Sequence, residues 1–106
     1  MLGGLLLDDN AWDAIAGIVA AADFYRGDHR TIFRCMQTLA EQNKPLDVIT
    51  ISDALDEVNE LDGIGGLSYV SELAASTPTA SNIRAYAEIV QERAIVRKLI
   101  SAANEI

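Results

Sequence analysis

The chain has 106 residues, 50% of them apolar, with 16 acidic against 8 basic side chains and a formal net charge of −8. That length holds one packed core burying roughly 60–70% of the unfolded surface, and is about half of what a RecA-like ATPase core or a TIM barrel needs. The apolar content excludes intrinsic disorder, the lack of any run near ~18 apolar residues excludes a bilayer span, and the charge sign opposes tight, direct binding of DNA or RNA.

The first element, Leu2 to Leu7, predicts a short apolar helix. It is too short for a secretory core and has no basic segment before it, so a soluble, cytoplasmic protein is expected. Gly3 and Gly4 weaken that helix and point to close packing. Asp8 or Asp9 is expected to cap a second helix carrying Trp12, Ile15, Ala16 and Val19 at helical spacing. The pattern frays near Ala21 to Asp23, with Phe24 and Tyr25 anchoring the connection. Asp28 is the expected cap of a third helix with Ile32, Cys35, Met36 and Leu39 inward, stopped by Asn43-Lys44-Pro45.

Asp47 caps a fourth predicted helix with Val48, Ile51, Leu55 and Val58 inward and Asp53, Asp56, Glu57 and Glu60 on the wet side. The β-branched Val48-Ile49-Thr50-Ile51 is too short to read as a strand. The turn Asp62-Gly63-Ile64-Gly65-Gly66 opens a fifth helix whose face is Leu67, Val70 and Ala74. Tyr69 projects roughly 120° from that face. It fits an interface or a tyrosine lying flat on its own domain equally well. Thr77-Pro78-Thr79 ends this helix and caps the next.

The sixth segment runs from Ala80 to Ile106 without Gly or Pro and is roughly 40 Å long at ~1.5 Å per residue. At ~100° per residue, Ile83, Tyr86, Ala87, Val90 and Ala94 share one direction. Ile95, Val96, Leu99, Ile100, Ala103 and Ile106 share the opposite one, with Arg93, Arg97 and Lys98 on the polar side. A helix whose apolar stripe changes sides needs another surface over its far half. That surface is a following helix, a second protomer, or the Leu2–Leu7 helix folded across it.

Residues with chemical potential are few. Cys35 and His29 are the single cysteine and histidine, so an intrachain disulfide is impossible and a Cys/His zinc site lacks ligands. Cys35 lies on an apolar stripe, where a buried thiol is the ordinary outcome. Asp28, His29 and Thr31 hint at a hydrolase, but no strained nucleophile or oxyanion hole accompanies them. Glu88 and Glu92 lack the Glu-x-x-His partners of a di-metal bundle and read as a solvated face, relieved by Arg84. The turn with Gly63, Gly65 and Gly66 resembles the hairpin of helix-hairpin-helix DNA-binding modules, the second functional reading. Asp62 beside it, and the absence of Lys and Arg between Lys44 and Arg84, oppose that reading. The expected fold is a compact all-α orthogonal bundle of about six helices with a long C-terminal helix.

The segments taken in order resemble a known family. They are Leu2-Gly3-Gly4-Leu5-Leu6-Leu7-Asp8, Trp12-Asp13, Asp23-Phe24-Tyr25, His29-Arg30, Ile32-Phe33, Pro45-Leu46-Asp47, Leu61, Gly65-Gly66, Tyr69, Leu73, Thr77-Pro78-Thr79-Ala80-Ser81-Asn82-Ile83, Tyr86-Ala87, Ile89-Val90 and Glu92-Arg93-Ala94. The series is similar to the N-terminal domain of the DnaB-type bacterial replicative DNA helicase and covers essentially the whole chain. The resemblance implies one non-catalytic domain over residues 1–106, with ATP and magnesium bound only by a RecA-like motor that this chain does not contain. It implies self-association as dimers within a hexameric collar, through the half of the sixth helix carrying Ile95, Val96, Leu99, Ile100 and Ala103. It also implies docking of the DnaG-type primase at a position matching Tyr69, and a helicase loader as a further partner. Family chains usually carry a polar leader where this one begins at Met1, so it reads as a domain trimmed from a longer protein.

Overall fold

The computed structural model describes residues 2–7, 11–77 and 82–104. Among them are six α-helices and no strand: α1 (Leu2–Leu7), α2 (Ala11–Ile15), α3 (Gly27–Glu41), α4 (Val48–Glu57), α5 (Gly66–Ala75) and α6 (Ile83–Asn104). Short 3-10 turns at Ala21–Asp23 and Asp62–Ile64 join α2 to α3 and α4 to α5. The molecule measures 45 × 30 × 26 Å. No helix among the described residues is long and apolar enough to cross a membrane. The expected all-α bundle with a long last helix is the fold observed.

The core is built around Phe33, Ile32 and Met36 of α3, with Leu5, Ile15, Ile51, Leu55 and Val70 closing on them. The rings of Trp12 and Phe24 each lie 5.1 Å from that of Phe33. Helix α1 packs on α5 and α2, α4 on α3 and α5, and α6 on α2 and the 21–23 turn. The close approach anticipated at Gly3 is present: a Cβ there would overlap the backbone carbonyl of Leu73 in α5.

The capping signals divide. The Asp47 carboxylate accepts a 2.8 Å bond from the Thr50 N–H, as expected, and that bond holds its carboxyl below the usual range. Helix α3 starts two residues earlier than expected: Arg26 is its N-cap and Asp28 lies inside the first turn. From there the Asp28 carboxylate accepts from the His29 N–H and from the Arg26 guanidinium. The expected caps of α2 and α6 at Asp8, Asp9, Pro78 and Thr79 lie outside the described residues.

Four predicted inner positions face water, one of them Tyr86 of α6, which is 45% exposed at the edge of the inner stripe. Ala16 follows the last residue of α2, Val58 caps α4 at its C-terminal end, and Leu67 lies in the first turn of α5. In each case the helix is shorter than the apolar spacing, or turned slightly from it. The inner face of α5 is Val70, Leu73 and Ala74, with Tyr69 beside them, because α5 must meet α1 and α4 at once.

Candidate functional site

Two features of the surface are unusual for a closed small bundle. The first is the outer half of α6. Its inner side carries Ile83, Ala87 and Ala94, all buried, and the half-buried Val90. Beyond Ala94 the described apolar residues face away from the bundle; Ile106 lies outside the described residues. Ile95, Val96, Leu99 and Ile100 are 49–65% exposed, and Ala103 is exposed as well. The alternative that α1 folds across them fails, because α1 is committed to α5 through Gly3. Ile89, exposed and seven residues before Val96, extends the same face. The i, i+7 spacing carries that information in the sequence.

Arg97 does not sit on the polar side. It falls three residues after Ala94 and seven after Val90, which places it along the inner edge of the helix. Its Nη2 donates a 2.6 Å bond to the Asp23 carbonyl, and its guanidinium lies 5.5 Å from the centre of the Tyr25 ring. This contact ties the outer half of α6 to the 21–23 turn, and leaves the opposite, apolar side uncovered.

The second feature is a corner where the start of α3 meets α5. The turn into α5 places Gly65 at φ +110°, and the Tyr69 Cβ passes 2.8 Å from where a Gly65 Cβ would stand. The turn thus needs glycine there both for its dihedral and for space. Tyr69 lies half-buried against its own domain. Its hydroxyl is 2.7 Å from His29 Nε2, and the two ring planes lie within 16° of parallel with centroids 6.2 Å apart. The Arg26 guanidinium sits 5.6 Å from the Tyr69 ring centre and pairs with Asp28 at 2.6 Å. Phe24 meets His29 edge-on at 6.4 Å, which roots the corner in the aromatic core.

The electrostatics follow from that packing. Burial pushes His29 below its ordinary value and Arg26 adds to this, while Asp28 opposes both. Burial and the Asp28 charge push the Tyr69 phenol up. Burial alone would raise Asp28, but the Arg26 hydrogen bond and the His29 N–H hold it low.

This geometry also disposes of the hydrolase hint. The Thr31 hydroxyl donates to the Gly27 carbonyl at 3.1 Å, Asp28 is engaged by Arg26, and His29 bonds to Tyr69. The three side chains therefore form no relay. In the glycine turn, the Gly65 and Gly66 N–H groups donate to the Asp62 and Leu61 carbonyls at 3.2 and 2.9 Å, so they are not free to cradle a phosphate. Glu88 pairs loosely with Arg84 at 3.6 Å, and no cluster of three metal-ligating side chains occurs among the described residues.

A small all-α domain with these features matches a known class. The chain belongs to the DnaB-like helicase N-terminal domain family, whose model matches residues 1–92. It is 47% identical over its whole length to the replicative DNA helicase DnaB of Haemophilus influenzae and 44% to that of Pasteurella multocida, covering 23% of each. Among solved structures, it superposes on the N-terminal domain of DnaB helicase from Mycobacterium tuberculosis with a TM-score of 0.95 at 35% identity, covering 98% of this chain and 72% of that one. The resemblance drawn from the ordered sequence segments is thus confirmed. The chain corresponds to the N-terminal domain of replicative helicases, and the rest of their length, motor included, has no counterpart in it.

Proposed function

We propose that this chain, residues 1–106 acting as one unit, is a non-catalytic interaction domain of a replicative DNA helicase. It pairs with further copies of itself to build a hexameric collar and recruits a DnaG-type primase at the replication fork in the cytoplasm. A helicase loader is a further partner in this reading, and ATP and magnesium belong to the motor domain alone. The observation that carries it is the apolar face of Ile95, Val96, Leu99 and Ile100, left exposed by a bundle whose core is otherwise closed. Such a face on one helix is a surface made for a second helix. Tyr69 supports the recruiting role: it presents a half-buried aromatic with a polar tip, a residue type enriched in contact surfaces.

Sedimentation over a concentration series tests the pairing. The expected result is a concentration-dependent dimer that Leu99→Asp abolishes; a monomer at every concentration would remove the case for it. For recruitment, Tyr69→Ala should weaken capture of the helicase-binding domain of primase while the helical fold persists. Unchanged capture would remove Tyr69 from the contact.

A further inference from the structure

The His29–Tyr69 pair goes beyond this reading of the family. Exposed aromatic residues at contact surfaces normally sample several rotamers, and fixing one on binding weakens association by about twofold to tenfold. Tyr69 is not in that position. Gly65 lies under its Cβ, Arg26 approaches its ring, and His29 bonds its hydroxyl with the two ring planes nearly parallel. The His29 ring is itself met by the edge of Phe24 at 6.4 Å, and its place in the first turn of α3 fixes its backbone, whose N–H donates to Asp28 at 2.8 Å. The bond spans 40 residues of sequence and joins the first turn of α3 to α5.

We infer that His29 is a positioning residue for Tyr69: it fixes the ring and hydroxyl in the docking conformation before the partner arrives. The inference rests on the proposal that Tyr69 contacts the primase. His29 touches the partner only through Tyr69 in this scheme. Its imidazole keeps one nitrogen on the phenol, and the remaining lone pair or hydrogen of that phenol is aimed at the partner. Pre-organisation of this kind raises affinity without adding a contact.

The test measures binding of the 106-residue chain to the helicase-binding domain of primase by calorimetry, after far-UV circular dichroism has verified that each variant is helical. Tyr69→Phe and His29→Ala are each expected to weaken binding by about twofold to tenfold. The double variant should bind no worse than either single one, since both remove the same bond. His29→Gln should bind as the parent does, because the glutamine amide sets a donor Nε2 and an acceptor Oε1 the same number of bonds from the backbone as His29 Nε2, so either sense of the bond is kept. If His29→Ala does not fold, His29→Gln against Tyr69→Phe supplies the same comparison. The inference is overturned if Tyr69→Phe or His29→Ala binds as the parent, if their losses add, or if His29→Gln is as weak as Tyr69→Phe. Tyr69→Ala separates the two levels: with it weakened and His29→Ala unchanged, only the positioning role falls. With Tyr69→Ala unchanged, the docking proposal falls and takes the positioning role with it.

Discussion

His29 Nε2 and the Tyr69 hydroxyl stand 2.7 Å apart, joining helices that the chain places 40 residues from one another. The pair half-buries an imidazole whose proton affinity falls on folding.

That fall sets a pH dependence. His29 is pushed below its ordinary 6.5, burial being the first cause, so the unfolded chain takes up the proton more readily than the folded one. The contribution to stability is complete above pH 6.5 and is lost as the pH drops from there through the lower folded value. The melting temperature should therefore decline in that window, and less so in His29→Gln. Thermal scans of both proteins across the window check this; parallel curves would show that His29 is not responsible.

Arg97 fastens the far half of α6 by its bond to the Asp23 carbonyl and its place over Tyr25. Its replacement by Ala should cost about 1–2 kcal/mol, as expected for a hydrogen bond from a charged donor with a ring contact added. Lys in its place should recover only part, because the planar guanidinium makes both contacts at once. Urea denaturation reads the difference; a loss confined to a few tenths of a kcal/mol would mean the helix is held by the packing of Ile83, Ala87, Val90 and Ala94 alone.

Gly3 is where α1 meets the carbonyl of Leu73. In an isolated helix Gly3→Ala would help by about 1 kcal/mol, but here the added methyl must push α1 off α5 and should destabilise the domain by about 1–3 kcal/mol. The sign of the change, read by thermal or chemical unfolding, distinguishes a packing glycine from a tolerated one.

Cys35 lines an open groove between α3 and α4 with Arg34, Thr38, Asp53 and Glu60. Burial, with Glu60 adding to it, pushes its thiol up to about 11. At pH 8 roughly one molecule in a thousand then carries the thiolate, so alkylation by iodoacetamide should be slower than for a free thiol by on the order of a hundredfold. Unfolding in urea should restore the rate. Rapid alkylation of the folded chain would contradict the burial of this sulfur.

Local signals translated well into local structure. Asp47 caps α4, the 62–66 turn uses glycine at positive φ, and Asn43-Lys44-Pro45 closes α3, with Asn43 at φ +57°. Each depends on backbone atoms within four residues, so a short window suffices. The change of stripe near Ala94 in α6 was legible for a related reason: spacing alone says which side of a helix is apolar. Boundaries were less legible. Asp28 is the second residue of α3 rather than the one before it, and there its carboxylate takes both the Arg26 guanidinium and the His29 N–H.

The amino-acid sequence by itself determined the helical class, the turn glycines, the family and the change of apolar side along α6. Those follow from dihedral preferences and from periodicity, which act along the chain. That the far side of α6 stays uncovered was decided by the packing of α1 on α5. Only the tertiary structure decided that Arg97 reaches back to Asp23, and that the off-stripe Tyr69 rests on His29. A helical period assigns a side chain to a face but never names its neighbour, because the neighbour is chosen by how whole helices settle around Phe33, and a long side chain then takes whichever acceptor that packing brings within reach.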